Sequence, residues 1–456
     1  MFLQRVQPIF NEVKGKMRNK MKNIVKVWRS STAFLLSAFS FLILVSCSQE
    51  EILTQETSAL QFVVSDFPMF GEGIQTRAIG TQDEGKTAWA DGDQIIVTLT
   101  SQKYGEQAAA ITYDGSSWST EASLSYLENE TPTVSVFYAP CYEVTEEGVM
   151  QLRSGMQPGM TEYLFGDYEM EYGLMTITFE GAIRDYSRLR IAAMPEATLT
   201  VTTTDFTPAG ATAEATEAYT LTADDKGNAY LYGTFAEEAT VSVKQGEVTL
   251  KDYTFTAEKN PNGTEYNKSY ALDARPVIDG TLGGKTEATE DDITALVEQL
   301  KAYVDNGITT IIVLGSQPAT IDMGLWINTA IGEAIYRLSK EESYDGKIDL
   351  ILPDVTEIVD QEFDGAHALN SINLPKVTTV GDGAFYDCQY LEELTFGSVV
   401  TAINHNTRAE FYRVGGKVEG CDLVLNREQV NAEADYQPNL ETRTWWNTEW
   451  KSITLK

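Results

Sequence analysis

Histidine is almost missing from this chain: His367 and His405 are the two among 456 residues. A Ser-His-Asp or Cys-His centre needs one of them beside a nucleophile, and neither G-x-S-x-G nor H-E-x-x-H occurs. Cysteine is nearly as scarce. Cys47, Cys141, Cys388 and Cys421 are widely spaced and include no C-x-x-C pair, so no disulfide framework or zinc cluster is expected. The last three read as buried free thiols. Basic residues are few, 34 against 67 acids, for a formal charge of −33. So acidic a surface repels nucleic acid and anionic lipid, and no nucleic-acid partner is expected. Asp91-Gly92-Asp93 lacks the later ligands of a calcium loop and reads as a turn into a strand at Ile95. In a chain this acidic, any chosen pair of carboxylates is uninformative about glycoside hydrolysis. No catalytic residue, cofactor or metal is therefore expected, and the chain does not read as an enzyme.

Long apolar runs are also rare, and the one that stands out is near the start. Residues 1–46 hold eight of the basic residues and a single acid, Glu12; the remainder carries 26 basic against 66 acidic residues. Ala33 to Val45 is apolar except for Ser37 and Ser40. A basic segment followed by thirteen such residues reads as a secretory signal, because a membrane span needs roughly 20. Leu44-Val45-Ser46-Cys47 resembles a bacterial lipobox. That resemblance implies lipid on Cys47 as the mature N-terminus, a multiply acylated and durable anchor. Ser48-Gln49-Glu50-Glu51 is similar to the acidic signal that sends some Gram-negative lipoproteins to the outer face of the outer membrane. The expected layout is a signal over 1–46 and a tether over 47–58, with the protein at the cell surface.

From Ala59 to Arg275 the pattern is almost all β. Alternation is clear in Leu60-Phe62-Val64, Val134-Val136-Tyr138 and Met175-Ile177-Phe179, with turn residues such as Asp114-Gly115 and Lys226-Gly227-Asn228 between strands. This predicts an antiparallel β-sandwich over 59–275, with two subdomains breaking near residue 165 as one arrangement. The order of landmarks resembles the fimbrillin (Mfa-like) family: "ALQFVVS", Thr76-Arg77-Ala78, Trp89, Gly92-Asp93, Trp118, "VSVFYAP", "MTITFEGAIRDYSRLRI" and "YNKSYALDA". Gly181-Ala182 departs from it where a histidine is common. In fimbrillins that polymerise, the resemblance implies a cut after an arginine following the first strand and entry of a neighbour's strand into the groove. Arg77 is either that site or a surface-loop arginine. The repeat domain that ends this chain is no free donor strand, which points away from a shaft subunit and towards an accessory, tip or stand-alone role.

From Pro276 onward the period changes. Ile293, Leu296, Val297, Leu300 and Val304 fall at helical spacing, with Thr289-x-x-Asp292 as a capping box. "LPDVTEIVDQEFDGAHALNSI" at Leu352 and "LPKVTTVGDGAFYDCQYLEEL" at Leu374 then align at an offset of 22. Leu352/Leu374, Val355/Val377, Phe363/Phe385, Leu369/Leu391 and Ile372/Leu394 pair, which is the spacing of a leucine-rich repeat. The core resembles BspA-like leucine-rich repeats of bacterial surface proteins. The expectation is an α/β solenoid over 276–456 with an N-terminal helix, a helical insertion at Leu325 to Leu338 and a C-terminal cap. Cys388 reads as a small buried apolar residue, and Phe363 and Phe385 as filling the side opposite the strands.

Ser371, Asn373, Glu393 and Thr395 are the outward strand positions of the repeats and the candidate ligand contacts. Trp445, Trp446 and Trp450 are either a sugar platform, with Trp446 as the candidate contact, or a solenoid cap. The mostly β chain thus reads as an outer-membrane, surface-exposed lipoprotein for adhesion, with a host protein or glycan as ligand. Two alternatives stand: a fimbrial accessory or tip subunit whose partners are fimbrial subunits, and a glycan-capturing lipoprotein.

Overall fold

The computed structural model describes residues 61–68, 86–127, 130–171, 174–179, 184–211, 218–256, 258, 263–315, 320, 328–404 and 410–456. All of them belong to one compact unit, Thr57–Lys456. The segments expected as signal and tether, Cys47, Arg77, Gly181-Ala182 and His405 lie outside the described residues.

Apolar residues at every second position build the first sheet. Its strands are β1 (Gln61–Val64), β2 (Gln94–Ser101), β3 (Gly105–Tyr113), β4 (Trp118–Ser119) and β5 (Thr133–Tyr138), then β8 (Leu164–Glu171) and β9 (Leu174–Thr178) after a short hairpin of β6 (Tyr142–Val144) and β7 (Met150–Leu152). The order is β1-β9-β8-β5-β2-β3-β4, and β4 at one edge returns beside β1 at the other without pairing to it. The sheet therefore nearly closes into a barrel around Ile95, Val97, Leu99, Val136, Ile177 and Phe179. The β3–β4 turn is held by Asp114, whose Oδ1 accepts from the Ser116 and Ser117 amides at 2.8 and 2.7 Å. These bonds, with those from both serine hydroxyls, hold its carboxyl far below the usual range.

Two expectations change here. The sheet is not purely antiparallel, because β1 runs parallel to β9. A parallel pair needs a long crossover, and here nearly the whole sheet forms between the two strands. The expected break near 165 also moves. β8 stays paired in the first sheet, and the next sheets begin only with β10 (Ser187–Ala192).

β10 to β17 form the sandwich proper. β11 (Thr198–Thr203), β13 (Tyr219–Thr222), β15 (Thr240–Gln245) and β16 (Val248–Thr254) make one sheet. β12 (Phe206–Pro208), β14 (Asn228–Phe235), β10 and β17 (Ser269–Asp273) make the other. Leu189, Ile191, Leu199, Val201, Leu231 and Val243 interdigitate between them, next to a stack of Phe206, Phe235 and Phe255. β17 is again parallel to its neighbour β10.

A new sheet starts with β18 (Val277–Asp279). Helix α1 (Glu290–Asp305) follows. Thr289 Oγ1 accepts from the Asp292 amide at 3.3 Å and Asp292 Oδ2 from the Thr289 amide at 2.9 Å, which closes the capping box. With Lys285 Nζ 2.7 Å away as the largest influence, the Asp292 carboxyl is lowered to about 2. Ile293, Leu296, Leu300 and Tyr303 form its buried face. Then come β19 (Thr310–Leu314), α2 (Ala330–Leu338) capped by Thr329, β20 (Ile348–Ile351), β21 (Glu357–Ile358), β22 (Leu369–Leu374), β23 (Thr379–Val380), β24 (Glu393–Phe396), β25 (Ala402–Ile403), β26 (Asp422–Leu425), the small hairpin β27 (Thr444–Trp445) and β28 (Thr448–Glu449), and β29 (Ser452–Leu455). The helical insertion expected at Leu325 to Leu338 is helical from Ala330 on; 321–327 lie outside the described residues.

β18-β19-β20-β22-β24-β26-β29 pair in chain order, every neighbour parallel, and β21-β23-β25 form a narrow parallel strip. The offset of 22 brings equivalent residues into register, as with Ser371↔Glu393 and Ile372↔Leu394. A third turn follows at an offset of 26, so that Phe411 joins Phe363 and Phe385. The three rings stack with centroids 5.8 and 5.7 Å apart. Cys388 stands in the place of Ala366 one turn earlier; both are fully buried. Backbone bonds tie the turns together, such as Phe363 N to Ala384 O and Phe385 N to Glu410 O, at 2.9 and 3.0 Å.

Among the non-glycine residues held at positive φ is one in a turn of the repeats. Gln361 has φ +59°, and Gly383, its counterpart 22 residues on, has φ +63°. A side chain in this left-handed region costs roughly 1–2 kcal/mol, while glycine loses more chain entropy on folding. Gln361→Gly is therefore expected to stabilise the protein by about 0.5–1 kcal/mol in urea unfolding. A lower midpoint would contradict the strain.

Candidate functional site

Inward Leu350, Ile372, Leu394 and Leu423 set the phase of the parallel sheet, so the residue before each points out. Asp349, Ser371, Glu393, Asp422 and Ser452 fall in one register row across five strands. A second row holds Ile351, Asn373, Thr395, Val424 and Thr454. All four sequence-proposed strand residues thus lie on one face. Glu393 is exposed, and Ser371, Asn373 and Thr395 are half-buried.

The polar row is internally ordered. Asp349 Oδ1 accepts from Ser371 Oγ at 2.7 Å and Asn370 Nδ2 at 2.8 Å. Thr395 Oγ1 donates to Glu393 Oε1 at 3.0 Å. Asp422 Oδ1 accepts from Ser452 Oγ at 2.6 Å and Oδ2 lies 3.2 Å from Lys451 Nζ. The serine bond, then the lysine, hold the Asp422 carboxyl below its usual range, so it is charged at neutral pH. Strands sit about 4.8 Å apart, so Glu393 and Asp422 are adjacent and Asp349 is about 10 Å from Glu393. The strip presents carboxylate hydrogen-bond acceptors, held by their serine and threonine neighbours, to whatever lies against it. Asp349 and Asp422 were overlooked in the sequence, though each precedes an inward leucine as Ser371 precedes Ile372.

Trp446 does not join this strip. It lies in the β27–β28 turn with φ +48°, half-buried, stacked on Tyr436 at 5.2 Å and donating from Nε1 to Glu410 Oε2 at 3.2 Å. Trp445 and Trp450 are buried and contact Phe411 at 5.7 and 5.3 Å. They close the interior beyond the last phenylalanine, and a sugar platform from the three together does not form.

Glu362 and Glu410 occupy the position just before the stacked phenylalanines, and both are buried. Glu362 is 1 % exposed. Its oxygens accept from the Val359 amide at 3.1 Å and Thr329 Oγ1 at 3.3 Å. Burial raises its carboxyl to about 7. His367 Nε2 lies 3.5 Å from Asp387, which also binds Arg413 at 2.9 Å. Cys141, Cys388 and Cys421 are free and buried, and burial raises all three thiols. Asp91-Gly92-Asp93 forms the turn into β2, with Lys86 Nζ 2.7 Å from Asp93. Among the described residues, no group of three or more His, Cys, Asp or Glu could hold a metal, and no helix is long and apolar enough to cross a membrane.

Residues 347–413 match the family model of the BspA type leucine-rich repeat region. No curated protein matches the chain. A crystal structure from Bacteroides fragilis NCTC 9343, described as a "putative cell adhesion protein", is 9% identical and aligns over 47% of this chain and 92% of its own. Its TM-score is 0.26, too low to establish a shared fold.

Proposed function

We propose that this protein is a surface lipoprotein whose leucine-rich-repeat solenoid binds an adhesion ligand on its outer strand face. The observation that carries this reading is the in-register row Asp349, Ser371, Glu393, Asp422 and Ser452. Its fixed acceptors suit a host protein segment rich in lysine or arginine, and a glycan is the other candidate ligand. A lipid on Cys47 would anchor the chain to the outer membrane, and a fimbrillin-like β region would hold the solenoid away from it. Binding of the full chain to immobilised host matrix proteins and glycans tests the reading. Glu393→Lys, at an exposed position, is expected to lower affinity about tenfold or more, since a like charge now meets the ligand. Undiminished binding would overturn the assignment of this face. Protease shaving of intact cells, with Cys47→Ala as the control, tests the location.

A second reading, a fimbrial accessory or tip subunit, draws on the first strand. β1 is a four-residue edge strand that pairs with β9 alone, and Val63 is half-exposed on it. A cut at Arg77 would separate β1 from the rest of the chain and leave the edge of β9 open for a strand from another subunit. Mass spectrometry of surface-extracted protein would then find an N-terminus at Ala78; its consistent absence rules strand exchange out.

A further inference from the structure

A cavity of about 410 Å³ lies where the near-barrel sheet meets the sandwich. That size falls in the small-ligand range of roughly 300–1,000 Å³, and junctions between units are a preferred place for such sites. Tyr138 reaches it from β5, Tyr230 and Tyr232 from β14, and Met156 and Met160 from the segment before β8. The walls are fixed to each other. Tyr232 N donates to Gly159 O at 2.8 Å, Tyr219 Oη to Pro158 O at 3.1 Å, and Tyr163 N to Tyr186 Oη at 3.2 Å. A ligand entering here would meet a preformed site.

The charges lining the cavity decide what kind of ligand that is. Lys86 is bound to Asp93 at 2.7 Å and lies over the rings of Phe67 and Tyr138. Glu162, buried, accepts from Arg184 Nε and Nη2 at 3.0 and 2.7 Å. At the rim, Asp224 Oδ1 accepts from the Lys226 and Asn228 amides at 3.0 and 2.7 Å. Lys86 and Glu162 are thus paired with opposite charges, and Asp224 stays exposed at the rim with amide donors, so inside the cleft a charged ligand would be desolvated without a counter-charge of its own. Carboxylate oxygens have spare lone pairs even when paired, and the Asn228 amide lies beside them. Tyr138 is buried under Lys86, so the half-buried rings of Tyr230 and Tyr232, next to spare acceptors, suit a molecule with an apolar face and a rim of hydroxyls. We propose that this cleft binds a neutral sugar residue of a glycan, with its C–H face on the tyrosines and its hydroxyls on Glu162, Asp224 and Asn228. The site is distinct from the outer strand face and does not depend on it.

Calorimetric titration of the full chain with neutral hexasaccharides of glucose, mannose and xylose tests this, with a heparin-derived hexasaccharide as the charged control. A neutral hexasaccharide is expected to bind at millimolar concentration or better. Thr222→Trp, which fills the exposed rim from a solvent-facing strand position, is expected to weaken that binding about tenfold without changing the melting temperature. Tyr230→Ala should also weaken binding, by removing a stacking face. Glu393→Lys should leave it unchanged, so the two surfaces can fail separately. No binding by any neutral hexasaccharide, equal binding by the charged control, or retention of full affinity in both cleft variants would overturn the proposal.

Discussion

Phe385→Ala is expected to lower unfolding stability by about 3–5 kcal/mol. The ring is fully buried in the middle of a stack, at 20° to Phe363 on one side and 8° to Phe411 on the other. Removing it strips a face from both neighbours and leaves a cavity. The gap cannot close easily, because the backbone bonds from Phe363 N to Ala384 O and from Phe385 N to Glu410 O hold the turns at their spacing. The loss should concentrate in the repeat region, whose stability is a sum of neighbouring contacts. Urea unfolding followed by circular dichroism measures it, with Phe385→Leu as the milder variant of intermediate effect. A loss below ~1 kcal/mol for the alanine variant would mean that the turns repack freely and the stack is not a core.

Glu362→Gln should remove a pH dependence worth about 3 kcal/mol. Burial raises the folded carboxyl from the ordinary 4.5 to about 7; the Val359 amide and the Thr329 hydroxyl donate to the buried side chain, and Glu357 adds a like charge. Between those pH values the folded state holds a proton that the unfolded chain has released. Stability from this group is therefore complete below about pH 4.5, falls as pH rises towards 7, and stays low above that. Each pH step of one unit in that window costs about 1.4 kcal/mol. Glutamine imitates the neutral acid, so the variant should match the parent near pH 4 and exceed it near pH 8. The difference between the two urea midpoints across this range is the measurement, since other titrations are shared and cancel. Parallel profiles would show that Glu362 ionises without penalty.

How much could be read beforehand depended on whether a position repeats. Leu352/Leu374 and Phe363/Phe385 were legible because stacked turns of equal length place equivalent residues against each other every 22 positions. Phe411 was missed because its turn is four residues longer, which breaks the period while the stack continues. Glu362 and Glu410 were hidden for another reason. An acid in a repeat reads as solvent-facing, and their burial follows from contacts with Thr329 and Trp446, 33 residues before one and 36 after the other. The strand face showed a similar split. Ser371, Asn373, Glu393 and Thr395 come from the two segments whose sequences match, whereas Asp349, although 22 residues before Ser371, lies ahead of the first of them, and Asp422 follows a longer turn, 29 residues after Glu393. Strand pairing brings both into the row.

Local chemistry in the sequence was enough to determine which apolar residues of the regular strands and of the first helix face inward, where Thr289 caps that helix, and where Asp114-Gly115 turns a hairpin. Those features depend on side-chain period and on bonds spanning a few residues. Tertiary structure decided what depends on distant partners: β1 parallel to β9, the change of sheet between Thr178 and Ser187, and the tyrosine-lined cleft between the two β units. The direction of a strand pair and the pairing of a buried charge such as Glu162 are fixed by segments far along the chain, and no local pattern encodes them.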